Sequence, residues 1–258
     1  MTARGCAFHD AEAHRCGIQA AHGHEALPLA CRQFPRISIT DLRGVSVTLS
    51  HYCPTALDML VTFDADVEIV DNAPAFPPGA EYVGLDARTS LPPALCPTVL
   101  MDWDSGWEWE RLSVELCNLK ETPRQILARL SIAVEAVRTW RPGQGELIYR
   151  VRHAHAVART TLTNPTNPTQ PFEQNLPNLA NLSNLTNVFL AAHVFANWTA
   201  HLGEGLRTWL RSIETVLFLL EVGWTMPEVD LWLRHYADPR LLARVWSKAE
   251  CEISELAS

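Results

Sequence analysis

Four of the seven cysteines of this 258-residue chain, Cys6, Cys16, Cys31 and Cys53, fall within the first 53 residues. Thiols crowded in this way leave a chain few choices: disulfides, a metal centre, redox chemistry or a thiol-rich core. The opening "MTARGCAFHDAEAHRC" lacks the apolar run of a secretory signal, so a cytoplasmic, reducing environment is expected and disulfides are disfavoured. The sequons at Asn181, Asn184 and Asn197 then carry no glycan. Redox chemistry is disfavoured as well, because no two cysteines are close enough in sequence to pair a low-pKa nucleophile with a resolving thiol. A shared metal site stands against a set of unrelated buried thiols.

The composition permits a sizeable core, with 47% hydrophobic residues, and excludes two classes of partner. A formal charge of -8 with no basic stripe is not the electrostatic footprint of a nucleic-acid-binding protein. The longest apolar stretch, "SIETVLFLLEVGW", is interrupted by Glu214 and Glu221, so no membrane span is expected. Arginine supplies nearly all the positive charge, a bias from which no function is read.

Hydrophobic periodicity divides the chain into four parts. Residues 1–62 form the cysteine-rich section. In it "ISIT" and "VSVTLS" alternate apolar Ile37, Ile39, Val45, Val47 and Leu49 with small polar residues around the turn residues "DLRG", which predicts a β-hairpin. Pro54 suits the first turn of a following helix, placing Cys53 at a strand-to-helix junction. Residues 63–162 are predicted to be helical with Pro-rich loops. The loops come first; helices follow from Trp107 and from Pro123, the latter capped by Thr122 and lined by Ile126, Leu127, Leu130, Val134 and Val137. Residues 163–187 hold two Asn-Pro-Thr units and then Asn at 175, 178, 181, 184 and 187, a low-complexity linker or insertion whose period of three matches neither helix nor strand. Residues 188–258 are helical again, ending on a helix capped by Asp238, with Trp198, Trp209, Trp224, Trp232 and Trp246 assigned to the core. The fold class expected is mainly α: a helical bundle with a small β-hairpin in an N-terminal cysteine-rich metal-binding section.

The spacing of the four cysteines, with nine, fourteen and twenty-one residues between them, is not the Cys-x-x-Cys knuckle of a zinc ribbon. The Cys53-Pro54 pair is also found at the last ligand of ferredoxin-type clusters, and four thiolates suit a [4Fe-4S] cluster as well as zinc. The stretch "CAFHDAEAHRCGIQAAHGHEALPLACRQFPR" followed by "VTLSHYCPTA" resembles the cysteine-cluster proteins grouped as zinc- or iron-chelating, whose best-known branch is the flagellin lysine-N-methylases. The shared frame is Cys16-x-Ile18, Gly23, Leu27-Pro28, Cys31-Arg32-x-Phe34-Pro35-Arg36 and Cys53-Pro54; Gln19 stands where that family often has His. The likeness covers residues 6 to about 60 and, more loosely, "AAHVFANW" and "GLRTWLRSIE".

The resemblance implies an iron-sulfur centre held by Cys6, Cys16, Cys31 and Cys53. In the methylase branch it also implies S-adenosylmethionine-dependent methylation of lysine side chains on a protein substrate such as bacterial flagellin. Arg32 and Arg36 flank the Cys31 turn, placed for an anionic cluster or a cofactor carboxylate, or else for ion pairs with Asp41 or Asp58. His51 is a ligand, a donor to a ligand sulfur or an ordinary satisfied polar residue. Cys96 is a reserve ligand, whereas Cys117 and Cys251 sit in amphipathic helices as small hydrophobes. No residue identifies itself as a catalytic base, and no glycine-rich turn marks a nucleotide pocket. A non-catalytic protein in which the metal is a structural clip is the alternative.

Overall fold

In the computed structural model, residues 7–10, 12–13, 15–62, 65–71, 84–161 and 179–236 are described. Cys6, Cys251, the helix expected after Asp238, Trp246 and the first part of the Asn-rich segment lie outside them.

Five helices form the body: α4 (Trp103–Cys117), α5 (Pro123–Arg138), α6 (Leu147–Thr160), α7 (Leu179–Val194) and α8 (Leu206–Glu221). The short α1 (Gly17–His22), α2 (Leu29–Gln33) and α3 (Pro54–Thr62) precede them and α9 (Met226–Leu231) follows. The expected class is therefore met in its coarse form, mainly helical with a small sheet.

Helix α5 is central, because its apolar residues recur every three or four positions and face helices on more than one side. Ile126, Leu130, Val134 and Val137 are wholly buried, against Val151 and Ala154 of α6, Phe189 and Leu190 of α7, and Ile213 and Val216 of α8. Its N-terminus is a full capping box: Thr122 accepts from the Gln125 N–H while the Gln125 side chain accepts from the Thr122 N–H.

Helix α4 begins four residues before the expected Trp107. Asp102 is the N-cap, its carboxylate accepting from Ser105 N–H at 2.8 Å and from the Ser105 hydroxyl at 2.6 Å. Gly106 obscured this start, but its bare Cα lies against the ring of Pro93, which a side chain would crowd. Helix α6 has no strong cap and was not singled out by its sequence, although Leu147, Val151, Ala154 and Ala158 repeat at four, three and four. Helix α7 takes over the end of the segment assigned to the linker. There Leu185, Val188 and Phe189 supply an apolar stripe that overrides the asparagine period, and Asn187 turns inward to donate to the Glu121 carbonyl at 2.8 Å.

Arginines tie these helices end to side. Arg129 donates through Nη1 to the Arg159 and Thr161 carbonyls at 2.9 and 3.0 Å, closing the C-terminus of α6, and pairs with Glu121. Arg150 closes α5 in the same way, reaching the Ala136 carbonyl at 2.7 Å, and Arg138 bridges the Leu95 and Glu204 carbonyls at 2.8 Å each. A guanidinium has several donors in one plane and can serve two or three carbonyls at once, which an ammonium on a flexible stem does less well.

The sheet is small. Strands β1 (His9–Asp10) and β2 (Arg15–Cys16) pair antiparallel. Strands β3 (Arg36–Asp41) and β4 (Gly44–Leu49) form the expected hairpin, in register from Arg36 opposite Leu49 to Asp41 opposite Gly44. β5 (Leu85–Asp86) adds to β3 in parallel, an addition its two residues gave no pattern to foresee. β6 (Ala94–Cys96) pairs with β7 (Val99–Leu100).

Of the tryptophans assigned to the core, Trp209 is buried, Trp198 and Trp232 are half-buried, and Trp224 is 40% exposed. Gly205, with φ of 64°, admits the strand β6 backbone so closely that an added Cβ would lie 2.1 Å from the Ala94 carbonyl oxygen. Gly205→Ala is expected to cost about 3 kcal/mol of stability, as a backbone conformation open only to glycine combines with a steric clash; a urea midpoint within error of the unaltered chain would refute this.

Candidate functional site

Three groupings of polar side chains warrant a close reading: the cysteine section, a buried polar centre beside it and an indole-lined cleft.

Two of the described N-terminal cysteines, Cys16 and Cys53, stand just before helices, and Cys31 lies within one. Cys16 precedes α1 as its N-cap residue without its side chain accepting a capping bond, and is half-buried. Cys31 lies in α2 and is exposed. Cys53 is half-buried and its carbonyl accepts from Leu57 N–H at 2.9 Å, the first turn of α3. Between the last two, Ser50 N–H donates to the Pro35 carbonyl at 2.7 Å and closes the open end of the hairpin, so the segments leading from Cys31 and into Cys53 leave the sheet side by side. Among the described residues, no three His, Cys, Asp or Glu side chains come together as a group that could hold a metal ion; Cys16, Cys31 and Cys53 are not such a trio, and the fourth cysteine lies outside the description.

The other expected residues find different partners. Arg32 pairs with Glu25 at 3.1 Å rather than with Asp41 or Asp58, and its Nε is buried without a hydrogen bond. Arg36 reaches the Arg32 carbonyl at 3.4 Å. Cys96 lies 3.7 Å from the Thr98 hydroxyl; burial opposes its ionisation, but the Thr98 hydrogen bonds and the charges of Arg138 and Arg141 bring its pKa below the usual range. Cys117 is sealed in the core, where burial pushes its thiol up to about 12.

His51 turns away from the cysteines into a buried centre built on Asp230 of α9. The Asp230 carboxylate accepts from the Ser50 hydroxyl at 2.6 Å and from Arg234 Nε at 2.8 Å. His51 Nδ1 and His193 Nε2 stand 3.7 and 3.4 Å from Oδ1, too far for good hydrogen bonds and with no other partner. Both imidazoles meet the Phe189 ring edge-on. Burial works against the Asp230 charge, yet the two imidazoles and the Arg234 guanidinium outweigh it and hold the carboxyl below the usual range. Burial lowers His193 to about 4 and also lowers Arg234. The centre joins the end of the hairpin, α7 and the C-terminal helices. The carboxylate is already paired with the Arg234 guanidinium and bonded to the Ser50 hydroxyl, so the centre serves cohesion.

The cleft lies at the opposite end of the hairpin. Arg43, in the turn between β3 and β4, donates to both oxygens of the buried Asp41 at 2.7 to 3.2 Å and pairs through Nη1 with Glu110 of α4. Its guanidinium lies over the Trp107 ring, 5.7 Å from the centroid. Glu110 also accepts the N–H of Ala196 at 2.6 Å and so holds that residue at a φ of 54°, uncommon outside glycine. Burial pushes the Glu110 pKa up, against the pull of Arg43. His201 stacks on Trp198 at 3.6 Å and donates from Nδ1 to the Leu91 carbonyl at 2.9 Å, which leaves Nε2 as a lone-pair acceptor; burial keeps its pKa low. Trp103 and Trp109 complete a wall around a void of about 50 Å³. The indole N–H groups of Trp107 and Trp109 are buried without a partner. Sequence reasoning assigned tryptophans in this region to the core and missed the cleft, because its carboxylates and its arginine come from the hairpin turn and from α4, far apart in the chain.

Against protein-family models, curated proteins and solved structures, the chain has no significant match.

His155 of α6 is the clearest acid-sensitive group. Its Nδ1 donates to the Val151 carbonyl at 3.0 Å and its Nε2 accepts from Ser113 at 3.1 Å, with Trp109 edge-on at 4.6 Å, so the neutral ring is fully satisfied. Burial lowers its pKa from 6.5 to about 4. The unfolded imidazole gains a proton near pH 6.5 while the folded one stays neutral to about 4, so stability falls as the pH is lowered through that window, by about 3 kcal/mol for this residue. Urea midpoints measured across it should fall less steeply for His155→Gln; parallel profiles would show that the residue contributes nothing. Any loss from Asp230 comes separately, below its ordinary 3.8.

Proposed function

We propose that this chain is a cysteine-ligated metal protein in which Cys6, Cys16, Cys31 and Cys53 hold a [4Fe-4S] cluster, with zinc the alternative occupant. One observation carries this reading. Of the residues from 7 to 35 whose burial is described, Leu27 is the only buried one, and α1 buries none. A section with so little apolar burial cannot offset the entropy of ordering its chain, and small sections of this kind are held by disulfides, metals or partners. The donor type supports it: Cys16, Cys31 and Cys53 are exposed or half-buried thiols, whereas Cys117 is sealed in the core. Thiolates favour iron-sulfur clusters and zinc over hard cations.

The same observation favours the metal as a structural clip, and thus a non-catalytic metal-binding or interaction protein. S-adenosylmethionine-dependent methylation of lysines on a flagellin-like protein substrate in the cytoplasm is the activity added by the resemblance alone. In that reading Arg32 and Arg36 hold the cluster or the cofactor carboxylate. Residue 51 is not a ligand in either reading, since its imidazole faces Asp230.

Anaerobic purification of the full chain separates the occupants. Broad absorbance near about 400 nm, with iron and sulfide present, is expected for the cluster; a colourless protein with stoichiometric zinc identifies the other metal. Cys31→Ser and Cys53→Ser should each abolish metal binding, and retention of full metal content by both variants would rule out the site. Transfer of labelled methyl groups from S-adenosylmethionine to flagellin by the metal-loaded protein tests the catalytic reading, and no transfer leaves the structural clip.

A further inference from the structure

We infer that the indole-lined cleft is a binding site for a small organic cation, an ammonium or methylammonium head carried on an apolar stem. Four features of the wall converge on this ligand class.

The first is charge. Asp41 and Glu110, with side chains only 2% and 13% exposed, face one guanidinium, so the wall holds two acidic groups to one basic group, and His201 adds no charge. The second is hydrogen-bonding capacity. All of the donors that Arg43 directs into the cleft are engaged, with Nε and Nη2 on Asp41 and Nη1 on Glu110, so the arginine has little left for an anion. Glu110, in contrast, accepts one bond at each oxygen where a carboxylate oxygen can take two, and His201 Nε2 holds a free lone pair. Each of these atoms can still accept a bond from a ligand that carries N–H donors.

The third is the aromatic wall. Trp is the side chain with the strongest attraction for cations, and Trp103, Trp107 and Trp198 stand around the void. The placement of Arg43 over Trp107 shows this wall already holding one cation through a ring face. The fourth is size. A void of about 50 Å³ has room for roughly three to four water-sized groups, enough for an ammonium with one or two methyl groups but not for a fused ring. The unpartnered indole N–H groups of Trp107 and Trp109 are donors and are not used by this ligand.

The site stands apart from the proposed metal centre. It is formed by the turn of the hairpin, whereas Cys31 and Cys53 flank its open end, about 17 Å away along six residues of strand. The inference therefore does not rest on the metal, and each can fail without the other.

The test uses the full chain and methylammonium chloride, followed through the tryptophan indole N–H resonances in ¹H–¹⁵N spectra, with sodium chloride and sodium acetate at equal ionic strength as controls. The expected result is a saturable shift of a subset of the nine indole signals across the millimolar range with methylammonium and not with either control. Glu110→Gln, which keeps an acceptor for Ala196, and Trp103→Leu should each weaken binding about tenfold, about 1.4 kcal/mol. A response to methylammonium no greater than to sodium chloride, or an equal response to acetate, would overturn the site. The comparison on the unaltered chain decides the matter even where a variant does not fold. Unchanged binding in both folded variants would place the cation elsewhere and overturn the assignment of this cleft.

Discussion

The buried carboxylate of Asp230 is the point on which the two halves of the described structure meet. It draws a hydroxyl and an imidazole from the turn after the hairpin, an imidazole from α7 and the guanidinium of Arg234, from the π-helical turn that follows α9. Burying a charge is expensive unless it is paired, and removing one partner of a buried pair typically costs several kcal/mol because the other is left uncompensated. The hairpin end is thereby fixed relative to the bundle, and with it the positions of Cys31 and Cys53. The opposite end is fixed by a second carboxylate, Glu110, which holds Arg43 and the strained Ala196 together. A two-stranded ribbon with little core of its own is thus pinned to the bundle at one end by the Ser50–Asp230 hydrogen bond and at the other by the Arg43–Glu110 ion pair.

Much of the bundle was legible in the residues. Thr122-Pro123 and the spacing of Ile126, Leu130, Val134 and Val137 announce α5, because capping and a 3.6-residue period are local properties. The hairpin was legible for a similar reason, alternation about "DLRG". What escaped was non-local. Nothing near Asp102 in sequence reveals that Gly106 accommodates Pro93, and the period of three in the asparagines hid the apolar stripe that makes 179–194 helical.

The candidate sites divide along the same line. The cysteines drew attention because their residue type carries its own chemistry, and the hairpin's closed end accounts for how Cys31 and Cys53 leave it together. His51 looked like a companion to Cys53 because the two are neighbours in sequence, but a turn residue two positions away can face the other side of the chain, and here it faces α9. The cleft was hidden because tryptophan reads as core until the carboxylates that line it are brought in from other elements.

The arginine-capped helix ends bear on how the molecule responds to base. A guanidinium keeps its proton well beyond the range in which an ammonium gives it up. The Glu121 carboxylate bonded to Arg129 raises the pKa of that guanidinium further, so its bonds to the carbonyls at the end of α6 persist in alkali. His155, His193 and Asp230, by comparison, have their pKa values lowered and titrate on the acid side. At these groups the response is lopsided: acid reaches the buried imidazoles, while the end of α6 is held by a cation that alkali does not readily discharge.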